Sequence, residues 1–327
     1  MPCDSPMPAY RTDSGDVIMS SRKYKAFAPL RLPCQQCMGC RLDRSRTWAV
    51  RISHEAQMHK ENCFVTLTYA NPPENGSLEP KHIQDFFKRL RQHLAREARK
   101  KLGFKKRQRL KPHQRAALRA ATISPRYFHC GEYGEKLHRP HYHAVIFGYD
   151  FPDKILWKRN NGFPYYVSEL LSNLWGHGFV TVGELTFESA AYVARYVTKK
   201  INGPIAKNHY ERLNEFGEYV QLVPEYATMS RRPGIGKNWF AKYHTDVFPS
   251  DEVILNGKKF KTPKYYDRLF DLNYSYDHNF TVDEIKIRRH DKATKHLNKN
   301  TPERRQARVK IRDSRIKQLK RAYEYDS

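Results

Sequence analysis

The sequence of 327 residues predicts an α+β fold: one antiparallel sheet with helices packed on one face, followed by a basic tail. Three observations carry this expectation. Helix-like and strand-like segments come in the order helix, strand, helix, strand, strand, helix, strand, helix. The two adjacent strands are joined by Gly134-Glu-Lys-Leu-His-Arg-Pro140, a hairpin-like connection that makes them antiparallel neighbours. The long helix after the first strand carries Ile83, Phe86, Phe87, Leu90 and Leu94 on one side and basic residues on the other, as a helix lying on a sheet does.

Residues 1–33 hold five prolines and no clear periodicity, and read as an irregular arm. Over 41–60, Leu42, Trp48, Ile52 and Ala56 fall near helical spacing. Cys63 to Tyr69 alternates and is β-branched, which predicts a strand; Asn71-Pro-Pro-Glu-Asn-Gly-Ser77 ends it. A helix is expected from about Pro80 to Leu102, with Lys105 to Arg119 as a basic insertion or extension. Arg126 to Tyr133 and His141 to Tyr149 are strands, Val167 to Trp175 a short helix, and Gly178 to Leu185 a further strand. Glu188 to Ile201 is a helix stopped by Asn202-Gly203-Pro204. The expected organisation is therefore a cysteine-rich arm with a helix (1–60), a core with a basic insertion (61–204), a segment rich in Tyr, Asn, Gly and Pro that decorates the core or forms a small subdomain (205–277), and a basic tail of helix or disorder (278–327). There is no internal repeat.

Lys and Arg number 60 against 34 Asp and Glu, a net charge of +26. Such an excess calls for a polyanionic partner, with nucleic acid the default and a membrane surface the weaker alternative. The charge is concentrated. Lys88 to Arg119 holds fourteen cations and one acid, and Thr281 to Ser327 holds fifteen cations and seven acids. Stretches of this kind bind phosphates with salt-sensitive, sequence-independent affinity, although solvated helix faces look the same in sequence. No run approaches the ~20 apolar residues of a membrane span. The first residues do not read as a signal peptide, so the expected location is the cytoplasm. The six cysteines are then thiols or metal ligands rather than disulfides.

Pro140-His-Tyr-His-Ala-Val-Ile-Phe147 places His141 and His143 two apart on a predicted strand, so both imidazoles point to one face. That is a half-site for a divalent metal. Ala191-Tyr-Val-Ala-Arg-Tyr-Val-Thr-Lys-Lys200 places Tyr192 and Tyr196 four apart on a predicted helix, again on one face. Lys199, three beyond Tyr196, lies near that face and is placed to stabilise phosphate or phenolate charge. Cys34-Gln-Gln-Cys37-Met-Gly-Cys40 has two successive Cys-x-x-Cys spacings. Cys3 is the natural fourth ligand of a structural Zn²⁺, because Cys63 and Cys130 sit in predicted strands; the other reading is a turn with reactive thiols.

The histidine and tyrosine motifs together resemble the HUH endonucleases, the rolling-circle replication initiators, with Tyr142 in the middle place of the histidine motif. The paired tyrosines resemble the initiators of small icosahedral single-stranded DNA phages. Pro33-Cys-Gln-Gln-Cys-Met-Gly-Cys-Arg-Leu-Asp-Arg-Ser-Arg-Thr-Trp-Ala-Val-Arg51 is similar to the gokushovirus branch of the microviruses. The resemblance spans roughly residues 1–245. It implies a palm or RNA-recognition-like sheet and site-specific nicking and joining of single-stranded DNA through a phosphotyrosine. It also implies two successive transfers by the two tyrosines, and a third metal ligand that is usually a carboxylate. Glu132 is the best candidate for that ligand, with His129 and His138 weaker ones. Mg²⁺ or Mn²⁺ is the expected ion. No Walker-type phosphate loop is present, so strand separation falls to a host helicase and replication machinery. Two other readings stay open on the residues alone: a non-catalytic single-strand binding or packaging protein, and a transposase or relaxase of the same chemistry.

Overall fold

The computed structural model describes residues 3–12, 16–19, 28–134, 137–160, 162–196, 205–214, 216–274, 281–295 and 301–317. In the N-terminal arm, β1 (Met7–Arg11), β2 (Val17–Ile18) and β3 (Ala28–Leu32) pair as a small antiparallel sheet in the order β2-β1-β3. The prolines that argued for irregular chain are tolerated because β3 is an edge strand and β2 reaches only Tyr10 and Arg11 of β1. Helix α1 (Met38–Ala56) follows, its N-cap being Cys37.

The central sheet takes strands from most of the chain. These are β4 (Asn62–Thr68), β5 (Arg126–Tyr133), β6 (Pro140–Phe147), the hairpin β7 (Ile155–Asn160) and β8 (Phe163–Val167), β9 (Val180–Glu184) and, from further on, β12 (Tyr226–Met229). Their order is β12-β5-β6-β4-β9-β8-β7, antiparallel throughout. Helices α2 (Pro80–Lys101), α3 (Pro112–Ala121), α4 (Glu169–Trp175), α5 (Phe187–Tyr196) and α6 (Ile205–His209) lie between and after them. The short pair β10 (Glu211–Leu213) and β11 (Tyr219–Gln221) precedes β12. Helix α2 starts on Pro80 with the Glu79 side chain accepting from the Lys81 N–H. Its buried side is Ile83, Phe86, Phe87, Leu90, Leu94 and Ala98. The basic insertion forms α3, which buries no side chain.

The expectation of helices on one face is wrong. Cys63, Val65 and Leu67 of β4, with Tyr142, Ala144 and Ile146 of β6, pack beneath α2 and α4. Phe64 of β4 and Val145 and Phe147 of β6 pack beneath Ala49 and Ile52 of α1 and Ala190, Val193 and Ala194 of α5. The reason lies in the strands: the five residues from Cys63 to Leu67 are all buried, so the apolar residues of β4 are continuous rather than confined to alternate positions. A strand of that kind must be covered on both sides.

Beyond the sheet, α7 (Lys237–Val247), the hairpin β13 (Glu252–Leu255) and β14 (Lys258–Lys261), and α8 (Lys264–Asn273) build a third core around Phe240, Tyr266 and Phe270, which also takes Val50 from α1. The basic tail contributes α9 (Val282–Thr294) and α10 (Pro302–Lys317). Helix α9 is docked. Ile285 is buried in the third core, and Arg289 bonds the carboxylates of Asp251 and Asp267, each with a contact of 2.7 Å. In α10, Arg312 grips both oxygens of Asp4 at 2.6 and 2.7 Å, tying the tail to the arm.

Candidate active site

Strands β5 and β6 pair so that Cys130 faces His143 and Glu132 faces His141. Partners across an antiparallel pair share a face, so the carboxylate and both imidazoles rise on the side covered by α1 and α5. Glu132 Oε1 lies 2.6 Å from His141 Nε2 and 3.0 Å from His143 Nε2. Each ring is held from behind. His143 Nδ1 lies 3.0 Å from Thr66 Oγ1 on β4, and His141 Nδ1 lies 3.2 Å from the Arg139 carbonyl. A carbonyl only accepts, so Nδ1 of His141 donates to it, and Nε2 is the nitrogen that faces the carboxylate. Glu132 and His143 are buried while the His141 side chain reaches 18% exposure, which makes His141 the open side of the group. Burial works against a charged Glu132. The charges and hydrogen bonds of His141 and His143 outweigh it and hold the carboxyl well below the ordinary carboxylate range.

These three residues can hold a metal ion: their ligand atoms all lie within 4.8 Å of one another. Engaged Nδ1 atoms are the usual support behind histidine ligands. His129 and His138 stand apart from the group. His129 is paired with Ala144, so it is on the other face, where its ring lies beside Phe87 and Tyr127. Sequence reading missed Thr66, whose role depends on β4 and β6 pairing in the register Thr66 to His143.

Helix α5 brings Tyr192 to the same place. Its ring stands edge-on to His143 with centroids 5.3 Å apart, and edge-on to Phe64 at 6.2 Å. The guanidinium of Arg195 lies 5.5 Å from the centre of the Tyr192 ring. Tyr196 ends α5 one turn further on, described in its backbone alone, and Lys199 lies outside the described residues.

A second group sits in the arm. The sulfurs of Cys3, Cys34, Cys37 and Cys40 also lie within 4.8 Å of one another. Backbone N–H groups point at them: Cys34 N to Cys3 Sγ at 3.3 Å, Cys37 N to Cys34 Sγ at 3.3 Å, and Asp4 N to Cys37 Sγ at 3.2 Å. Burial opposes the Cys34 thiolate, but the N–H groups of Cys37 and Gln36 outweigh it and bring the thiol down to about 7. Burial and the neighbouring thiols of Cys3 and Cys37 push Cys40 up.

Among the described residues no helix is long and apolar enough to cross a membrane. No solved structure matches the chain. The family model for the replication-associated protein ORF2/G2P matches residues 62–201, the segment that holds Glu132, His141, His143, Tyr192, Tyr196 and Lys199. The chain is 33% identical over 296 residues to the replication-associated protein ORF2 of Spiroplasma virus 4, covering 87% of this chain and 81% of that protein. It is 34% identical over 278 residues to the replication-associated protein VP4 of Bdellovibrio phage phiMH2K, covering 84% and 78%. It is 29% identical over 262 residues to the replication-associated protein ORF4 of Chlamydia phage 1, covering 77% and 56%. The microvirus-like motifs and these similarities agree, and the chain belongs to the family of phage replication-associated proteins.

Proposed function

We propose that the protein nicks and rejoins one strand of phage origin DNA through a phosphotyrosine, and so initiates rolling-circle replication. The observation that carries this reading is the packing of Tyr192 against His143, itself one of three convergent ligand residues. A Mg²⁺ or Mn²⁺ ion held by Glu132, His141 and His143 would neutralise and orient the scissile phosphate.

The rest is done by the chain. The oxygen of Tyr192 or Tyr196 attacks phosphorus, and the bond from phosphorus to the 3′ oxygen breaks. The phenol proton is replaced, in net terms, by one on the leaving 3′-hydroxyl, so a phosphodiester is exchanged for a phosphodiester and no bond energy is lost. The freed 3′-hydroxyl primes synthesis. The second tyrosine repeats the transfer at the regenerated origin, and the first end is released as a circle. Arg195, 5.5 Å from the centre of the Tyr192 ring, would counter the charge that develops on phosphate and phenolate, and Lys199, three residues beyond Tyr196 in sequence, would share that role. A host helicase supplies strand separation.

The four cysteines form a structural Zn²⁺ site in this reading. A tetrahedron with Zn–S bonds of about 2.3 Å has S···S edges of about 3.8 Å, and Cys37 Sγ lies 3.8 Å from Cys3 Sγ.

Incubation with single-stranded origin DNA and Mg²⁺ or Mn²⁺, with a chelator control, tests the reading. A covalent protein–DNA band that needs the metal is expected. DNA that is bound but never joined to protein would leave the chain a binding protein.

A further inference from the structure

Aromatic side chains are exposed at the end of the sheet that carries His141. Phe179 directly precedes β9 and is 45% exposed; Trp157, on the edge strand β7, is 44% exposed. Their rings meet at 5.0 Å with planes at 62°. Lys158 Nζ lies 4.3 Å from the centre of the Trp157 ring, and Arg159 beside it is exposed.

The register relates this pair to the candidate active site. Thr68 of β4 is paired with His141 on one side, and its N–H and hydroxyl both donate to the Phe179 carbonyl on the other, at 3.0 and 2.7 Å. Thr181 is paired with Thr66, which is paired with His143. By strand alternation Phe179 shares the face of Thr181, Thr66 and His143, two strand spacings or about 10 Å from His141. Its backbone is held there. Ala70 N–H donates to the His177 carbonyl at 2.9 Å, and a Cβ on Gly178 would stand 2.2 Å from Ala70 N. Only glycine lets the segment before β9 lie this close to the end of β4.

We propose that Trp157 and Phe179, with Lys158 and Arg159 beside them, form a stacking platform for unpaired bases of the DNA strand next to the phosphodiester that is cut. Flat rings open to solvent, with cations at hand for the backbone, are what single strands need and what paired bases cannot use. A second copy of this chain would bring the same cations to the same place, so charge favours nucleic acid as the occupant. The proposal rests on the nicking reading only for the position of the cut phosphate.

The test is affinity for a fluorescein-labelled single strand of mixed, non-self-pairing sequence, and for the same sequence as a duplex, without added Mg²⁺ or Mn²⁺. Trp157→Ala with Phe179→Ala should weaken single-strand binding roughly tenfold or more. Duplex binding and the slope of log affinity against log salt should hold, because no cation is lost. Trp157→Phe with Phe179→Tyr should restore most of the single-strand affinity. Unchanged single-strand affinity, or equal losses on both DNAs, would overturn the platform. So would a wild-type dimer that the alanine changes convert to monomer with DNA binding intact, since the patch would then join two copies. The adduct assay separates the two readings. If the wild type forms no adduct yet the alanine changes cost single-strand affinity, the platform stands and nicking falls. If the adduct forms and the alanine changes cost nothing, the platform alone falls.

Discussion

The ring of Tyr192 stands at 81° to that of His143, centroids 5.3 Å apart. The two come from α5 and β6, elements about fifty residues apart in sequence, and Phe64 of β4 completes the contact by stacking on His143 at 5.6 Å. The contact sets the proposed nucleophile directly against a residue of the proposed metal site.

Changing both His141 and His143 to Ala should abolish nicking and leave DNA retention at low salt largely intact. The net charge of +26 supplies affinity without either residue. Gel-shift and nicking assays on the same preparation check this. Near wild-type nicking by the double variant would show that the metal is held elsewhere.

Thr66→Val removes the hydroxyl behind His143 Nδ1 and keeps the shape of the strand. A lost support of this kind costs roughly 10–100-fold in metal affinity or activity. The expected signature is a nicking rate partly recovered at high Mn²⁺. A loss that Mn²⁺ leaves unmoved would place Thr66 outside the metal site.

The arm should carry one Zn²⁺ per chain, measurable by elemental analysis of protein purified without added zinc. Cys34→Ser with Cys37→Ser should lose the ion and expose the arm to proteolysis, because Asp4 N–H bonds to Cys37 Sγ and the Asp4 carboxylate holds Arg312 of α10. Zinc content unchanged by these substitutions would assign the metal to other ligands.

Stability should fall as the pH drops below about 6.5. Burial pushes His54 and His129 down to about 3 in the fold, whereas both take protons in the unfolded chain near 6.5. The unfolded state therefore binds more protons below pH 6.5, and each histidine removes about 1.4 kcal/mol per pH unit through this window. Chemical denaturation at several pH values measures the slope, and His54→Gln should reduce it by about one proton. An unchanged slope would show that His54 is protonated in the native state.

Removal of Arg289 should destabilise the fold by about 2 kcal/mol, since Asp251 and Asp267 would be left facing each other without their cation. Denaturation of Arg289→Ala checks this, with early proteolysis between α8 and α9 as the accompanying sign.

Spacing made much of the candidate site legible. His141 and His143 are two apart on a strand, Glu132 is within hairpin reach, and the run of three cysteines is joined in space by Cys3. The histidine pair and the cysteine run follow from separations along the chain and the period of a strand, whereas the need for a carboxylate comes from the family resemblance and spacing only picks out Glu132. The rest depends on register and on distant pairing. His129 lies on the same strand as Glu132 and is as good a ligand type, and only the pairing of Cys130 with His143 puts it on the wrong face. Thr66 acquires its role through the β4–β6 register. Strand β12 joins the sheet from almost a hundred residues beyond β5, a distance at which no local pattern speaks. Strand β7, Ile155-Leu-Trp-Lys-Arg-Asn160, lies exposed along most of its length and has no alternation to announce it. Cys63 to Tyr69 reads as an alternating strand in sequence, yet all five residues from Cys63 to Leu67 are buried, so the covering of β4 on both sides shows only in the fold.

The measurement closest to the central claim is mass spectrometry of the covalent adduct trapped on single-stranded origin DNA. Tyr→Phe keeps the ring contacts and removes the reacting hydroxyl. The account predicts a nucleotide joined through its 5′ phosphate to Tyr192 or Tyr196. It predicts continued single-round nicking when either one is changed to Phe, with failure of the second transfer. With both changed, no adduct should form while the fold and its Zn²⁺ are retained. An adduct on a serine, a cysteine or another tyrosine, with Tyr192 and Tyr196 both unmodified, would contradict it.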